Sequence, residues 1–169
     1  MAEDMRLRKA TENDLPNIVS IYNSVVPGHT ATATLSPVTV EDWQPWLHDR
    51  KPQHPIWVIE SGNSVVAGWM ALGPYQTREA YHTTGQISIY IGEAWRGLGL
   101  GGWMLDQLLE MAPALGIKRI VALIFAHNAP SLTLFRRAGF EEWGYLPGIA
   151  ELGGVERDVV IMGTRADII

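Results

Sequence analysis

Apolar positions at Leu15, Ile18, Val19 and Tyr22 follow the 3.6-residue spacing of a helix with one buried face. The polar cluster Thr11 to Asp14 in front of them supplies side chains that cap a helix starting near Asp14, and Pro27-Gly28 ends it. Met5 to Lys9 is short and β-compatible. The small and hydroxylated residues from His29 to Pro37 predict a loop, after which Thr39 can cap a second helix to roughly Asp49. Trp43, Trp46 and Leu47 share a face of that helix. Two roles fit its tryptophans: ordinary packing of large aromatics, or a wall over a substrate pocket.

Ile56 to Glu60 and Val65 to Leu72 are β-type runs joined by Ser61-Gly62-Asn63-Ser64, where Gly and Asn supply the positive φ of a tight hairpin. A mostly polar connection, Gly73 to Thr84, leads into Gln86 to Ile91. There Ile87, Ile89 and Ile91 take one face, and Gln86, Ser88 and Tyr90 the other. Leu105, Leu108, Leu109 and Ala112 mark an amphipathic helix from Gly99 to Leu115, bent or ended by Pro113 and closed by Gly116. Lys118 to Phe125 is nearly continuous in apolar residues, as in a strand buried on both faces. Asn128 is positioned to cap a short helix, Ser131 to Arg137, and Gly139 closes it. Phe140 to Leu146 and Val155 to Met162 are strands around a glycine-rich turn, Gly148 to Gly154. This order predicts an α/β fold: a mixed sheet of about seven strands with helices on both faces.

The chain has 169 residues, the size of one domain spanning 1–169. With 47% hydrophobic and 18% charged residues the composition is globular, and no apolar run reaches the roughly 18 residues of a membrane helix. The acidic start, Met1-Ala2-Glu3-Asp4, has no apolar segment of the kind a signal peptide carries, so the expected location is cytoplasmic, with no membrane partner. The sequence contains no cysteine, which excludes disulfides, zinc-thiolate sites and thiol nucleophiles. A net charge of −5 argues against a nucleic-acid partner. His29, His48, His54 and His127 lack the spacing of metal ligands, so no metal site is expected.

The chemistry concentrates where a strand, then Gly97-Leu98-Gly99-Leu100-Gly101-Gly102, then a long helix follow one another. Glycines let backbone N–H groups close on an anion, and the helix dipole adds positive charge at the same point. Gly97, Gly99 and Gly102 also spell the G-x-G-x-x-G of dinucleotide-binding folds. That reading demands an acidic residue about 20 positions on for the ribose, and Lys118 to His127 contains none. A purely structural turn is a third reading. Arg96-Gly97-Leu98-Gly99-Leu100-Gly101 matches in full the pattern Arg/Gln-x-x-Gly-x-Gly/Ala.

That loop resembles the coenzyme A loop of the GCN5-related N-acetyltransferases (GNAT). So do the Ile89-Tyr90-Ile91 strand, Asn128, Ser131 and the run Leu134 to Phe140. More narrowly, Ile18 to Asn23 and Gly73 to Tyr81 look like the phosphinothricin and methionine-sulfoximine acetyltransferase branch. The resemblance implies a GNAT fold, acetyl-coenzyme A as cofactor and a small-molecule amine, amino-acid-like, as acceptor in a ternary complex, and it implies a homodimer. By position, Ile89, Tyr90 and Ile91 would present strand backbone to the pantetheine arm. Arg96, Gly97, Leu98, Gly99, Leu100, Gly101 and Gly102 would hold the pyrophosphate, and Asn128 would hydrogen-bond the pantetheine. Tyr75, Gln76, Thr77, Arg78 and Tyr81 would contact substrate, Arg78 pairing with a carboxylate or, equally, lying in a surface ion pair.

Two positions depart from the family pattern. Gln86 stands where the branch carries glutamate, and an amide is no general base; Phe135 stands where a histidine or tyrosine is expected, and has no proton to give. Three routes remain. Gln86 orders a water that passes the proton to His82, on the same face four residues back along an extended strand; Ser131 stands in at the departing thiolate; or the amine arrives deprotonated. Glu93 reads more simply as a solvated turn residue. A non-catalytic coenzyme A-binding protein and a protein N-terminal or lysine acetyltransferase are the alternatives.

Overall fold

In a computed structural model, which describes residues 4–167, seven strands form one mixed sheet. They are β1 (Arg6–Lys9), β2 (Ile56–Glu60), β3 (Val66–Pro74), β4 (Thr84–Ile91), β5 (Arg119–Phe125), β6 (Glu141–Leu152) and β7 (Val155–Arg165), in spatial order β1-β2-β3-β4-β5-β7-β6. Every neighbouring pair is antiparallel except β4 with β5, whose connection runs through a helix. The helices are α1 (Leu15–Val25), α2 (Val40–His48), α3 (Leu100–Met111) and α4 (Ala129–Arg137).

The strand period of two divides the core between the faces of the sheet. Met70, Leu72 and Ile87 point to one side, where Met104, Leu105 and Leu108 of α3 and Leu132 and Phe135 of α4 pack on them. Val58, Trp69 and Ala71 point to the other, against Ile18, Tyr22 and Val26. At the first edge, Arg8 forks onto Asp14 with both Nη atoms at 2.8 Å and reaches Glu60 at 2.8 Å, fastening β1 to β2 and to the start of α1.

Several local expectations shift. Pro113 ends α3 early: Ala112–Leu115 continue as a 3-10 turn closed by Gly116 at φ 77°. In the β2–β3 hairpin the positive φ belongs to Ser64, at 60°, rather than to Gly62 or Asn63. The stretch from Gly148 is strand, because Gly148 (φ 59°) sits in a register shift between Leu146 and Ala150 that takes up two extra residues as a bulge. The β6–β7 turn itself is only Gly153-Gly154, at φ 58° and 80°. Leu123 breaks the double burial expected of β5: it is 45% exposed, because β4 has already parted from β5 at that level.

Candidate active site

β4 pairs with β3 along its length, from Gly85 to Ile91, but with β5 only where Thr84–Gln86 face Arg119–Val121. β5 follows β7 along one edge through all seven of its residues, whereas its other edge leaves β4 after Val121. From Ile87 onward one edge of β4 therefore has no ladder partner, and its N–H and C=O groups face a cleft. This split is the central feature of the site.

Below the cleft, the chain turns through Glu93–Trp95, Arg96 donates from Nε to the Ile91 carbonyl at 3.2 Å, and α3 begins after Gly99. Gly97 and Gly99 have φ of 74° and 80°, a left-handed backbone that side-chain-bearing residues avoid. No side chain caps α3, so its first amides remain available to an anion. A Cβ at Gly97 or Gly102 would meet nothing within 4 Å. The result is a bare, donor-rich cradle.

A groove of about 650 Å³ joins the β4 edge to that cradle. Ile89, Tyr90, Ile91, Arg96, Gly97, Gly99, Leu100, Gly101, Gly102 and Asn128 all line it, together with Ser131 and Leu134 of α4. Leu98 does not; its side chain is 44% exposed outside the groove. Asn128 does double duty: its Oδ1 accepts from the Ser131 amide at 3.2 Å, starting α4 at Ala129 rather than Ser131, and its Nδ2 donates to Thr30 O at 3.3 Å.

On the Gln86-Ser88-Tyr90 face two smaller cavities, each about 290 Å³, continue from the groove. The first adjoins the groove at Thr30, Ala31, Asn128, Ser131 and Tyr90, and reaches Gln86 and Leu123. The second shares Gln86, Ser88 and Tyr90 with the first and ends among Tyr22, Trp43, Trp46, Trp69 and Arg50. Trp43 and Trp46 thus pack on each other, with ring centroids 4.6 Å apart, and also form a pocket wall. Tyr90, where all three spaces meet, is a half-buried phenol; desolvation drives its ionisation well above the ordinary tyrosine range, so it stays protonated.

Other expected residues lie elsewhere. His82 is not on a strand: β4 starts at Thr84, His82 has helical backbone angles, and its exposed ring contacts the Glu79 carbonyl at 2.9 Å. The shared face assumed for Gln86 and His82 is absent. Tyr75 and Tyr81 stack edge to face at 5.8 Å in a largely exposed loop with Gln76, Thr77 and Arg78, and none of the five lines the groove or either of the two smaller cavities. Phe135 is 2% exposed and packs edge to face on Phe140 at 4.9 Å, so α4 turns Ser131 and Leu134, not Phe135, to the groove.

Sequence reasoning missed Arg50 and the segment Thr30 to Ala33. The latter lines both the groove and the first small cavity, held by the Tyr22 hydroxyl on Thr32 (2.6 Å) and on Thr34, and by His127 Nε2 against the His29 carbonyl at 2.8 Å. Its only signal was a run of small, hydroxylated residues.

An open strand edge for amides, a glycine cradle for a diphosphate and adjoining smaller cavities define an acyl-coenzyme A-dependent transferase. Residues 18–140 match the Acetyltransferase (GNAT) family, and the chain belongs to it. The chain is 45% identical over 159 residues to YwnH of Bacillus subtilis (strain 168), provisionally named a phosphinothricin acetyltransferase, covering 94% of this chain and 98% of that one. It is 35% identical over 162 residues to the L-methionine sulfoximine/L-methionine sulfone acetyltransferase of Pseudomonas aeruginosa, covering 95% and 94%. The crystal structure of a phosphinothricin acetyltransferase from Sinorhizobium meliloti in complex with acetyl-coenzyme A is 26% identical and superposes with a TM-score of 0.89, over 96% of this chain and 88% of that one. The protein is an N-acetyltransferase with acetyl-coenzyme A as its cofactor, and the glycine cradle and open strand edge fit that molecule.

Proposed function

We propose that the protein acetylates the primary amine of a small amino-acid-like molecule by direct attack in a ternary complex. The observation that carries this is the continuity of the three spaces: a cofactor groove opens through Tyr90 and Ser131 into a cavity that ends within about 290 Å³ of aromatic wall. That space suits one small acceptor rather than a polypeptide segment. The names of the relatives, which acetylate methionine sulfoximine and phosphinothricin-type amino acids, support the same acceptor class.

Bound acetyl-coenzyme A supplies an acetyl thioester. The β4 edge and the amides of Gly97 to Gly102 orient it, and Ser131, shared by groove and inner cavity, holds a hydroxyl proton at their junction. Gln86 orients by hydrogen bonding and takes no proton. The aromatic walls and the charge of Arg50 both disfavour an ammonium ion, so the amine enters neutral, its first proton left in solvent, and the second proton it gives up on forming the amide would leave with coenzyme A as the free thiol.

A thiol-release assay with L-methionine sulfoximine, L-methionine sulfone and phosphinothricin against an N-terminal peptide and a lysine peptide tests the acceptor class. Turnover on the amino acids, with acetylation of the amine seen by mass, is the expected result; turnover on peptides alone refutes it. Since a general base contributes about 10²–10⁴ in rate, Gln86→Glu should leave kcat/KM near its starting value, and a rise approaching that range would show that the site lacks a base. A cytoplasmic location, supported by the cysteine-free sequence, and a homodimer complete the proposal. Trp143, Tyr145 and Ile149, 45–60% exposed on the edge strand β6, support the dimer, which light scattering tests.

A further inference from the structure

Arg50 follows directly on the last turn of α2 and enters the innermost cavity, whose other walls, Gln86 apart, are aromatic or small. Its guanidinium carbon stands 5.0 Å over the Trp46 ring, and Nη2 donates to the Leu72 carbonyl at 3.2 Å. That is its one hydrogen bond among the described residues, and Nε is buried with none. No Asp or Glu lines the cavity, and no carboxylate pairs with Arg50 among the described residues. The contrast with Arg8 is direct: Arg8, in the same fold, pairs with two carboxylates, Asp14 and Glu60, the latter shared with Arg6.

A largely buried cation without a counterion is an unfavourable arrangement that a ligand anion relieves. The same environment decides the ligand's chemistry. An acceptor bearing a second positive group would meet Arg50 repulsion in a low-dielectric pocket, whereas a carboxylate would find donor N–H groups that no protein atom uses. The position fits as well: the cavity shares Gln86, Ser88 and Tyr90 with the space leading to the cofactor groove, so a molecule with its anion at Arg50 extends its other end toward the thioester side. The Trp46 ring, 5.0 Å from the guanidinium carbon, packs against it and limits how far it can swing.

We propose that Arg50, stacked on Trp46, is the anchor for the carboxylate of the acceptor, so that this enzyme selects α-amino acids over uncharged amines. The proposal rests on the amino-acid-like acceptor class argued above and names the group that recognises it. It also moves the carboxylate contact away from Arg78, which lies in the exposed loop and lines neither the groove nor either smaller cavity.

Two measurements on the full chain test it. Tryptophan fluorescence, with coenzyme A present, is titrated with the standard L-amino acids and L-methionine sulfone, each against its α-carboxamide; kcat and KM are measured for every member that turns over. Wild-type protein should bind one or more acids at least about tenfold more tightly than the matching amide. Arg50→Met should weaken the acid about 10- to 100-fold, carried in KM rather than kcat, and leave the amide and the coenzyme A affinity unchanged. Arg50→Lys should restore part of the preference, as a point charge without the fork. Unchanged coenzyme A binding shows that each variant is folded. Equal binding of acids and amides by the wild type, or an acid preference that survives in Arg50→Met, overturns the proposal. Arg50-dependent acid binding without turnover of any amino acid would sustain the anchor and refute the acetylation of amino acids, so the two failures are separate.

Discussion

Gly97→Ala tests whether the cofactor cradle is set by backbone conformation. Gly97 has φ 74°, and a Cβ built there meets no atom within 4 Å, so the substitution adds strain without a clash in the protein. Holding an alanine in left-handed geometry costs about 1–2 kcal/mol. That energy must appear in one of two places. If the loop keeps its shape, the folded state carries it, and for a chain of this size the melting temperature falls by about 2–8 °C. If the loop relaxes instead, stability is kept but the amides are misaimed, and the dissociation constant for acetyl-coenzyme A rises about 5- to 30-fold. Differential scanning calorimetry and isothermal titration on one preparation read both quantities. Gly102→Ala is the control: Gly102 lies within α3 with ordinary backbone angles and open space at its Cβ, so alanine should stabilise by up to about 1 kcal/mol and act on affinity only by occupying the groove. A Gly97→Ala protein with unchanged melting temperature and unchanged affinity would refute the argument that positive φ builds the cradle.

The Arg8–Asp14 pair governs stability in acid. Burial raises the Asp14 carboxyl, but the Arg8 fork and the Thr11 amide outweigh it and hold it below the usual aspartate range. Its folded pKa is therefore lower than its unfolded one near 4. The unfolded state binds more protons between the two values, so this contribution is present above about pH 4 and is lost as pH falls through the folded value. Urea unfolding from pH 5 to pH 2 should show that slope. Arg8→Met should flatten it and destabilise the protein by about 2–3 kcal/mol at pH 7, somewhat below a fully buried pair because the Arg8 side chain keeps 28% exposure. Gly68→Ala should lower the melting temperature by about 2–12 °C, since its Cβ would lie 2.7 Å from the Tyr90 carbonyl, backbone that cannot swing aside, between the strands that carry the open edge.

Elements whose signal is local were legible in the sequence. The α1 period, the caps at Thr39 and Asn128, the two faces of β4 and the glycine loop each depend on residues within a few positions of one another. Where the structure departs, a distant neighbour decides. Gly148 looks like a turn until β7 pairs on both sides of it and makes it a bulge. Leu123 looks buried in an apolar run until β4 leaves it half bare. His82 seems in phase with Gln86 only if the strand is extended back past Thr84, and the Glu79–Tyr81 turn stops it. The exposed loop with Tyr75, Arg78 and Tyr81 carries the family resemblance without reaching the groove or either smaller cavity.

The two halves of the site encode their ligands differently, and this separates what each can change. In the proposed arrangement the cofactor would meet backbone: the structure supplies an unpaired strand edge and amides exposed by glycines, features independent of the acceptor. The inner cavity is made of side chains from α1, the end of α2, β3 and β4, with Tyr22, Arg50, Trp69 and Gln86 spread over more than sixty positions of sequence. No local pattern announces the whole set: Gln86 and the Trp43–Trp46 pair stand out as candidates, whereas Tyr22, Arg50 and Trp69 each read alone as an ordinary core or surface residue. The arrangement also leaves the segment from Trp43 to Arg50 free to vary: it touches the innermost cavity but not the groove, so exchanging it alters which acceptor is held while the cradle stays as it is. Arg50 sits at the end of that segment, where one substitution replaces the only charge in the pocket and leaves the cofactor's backbone contacts untouched.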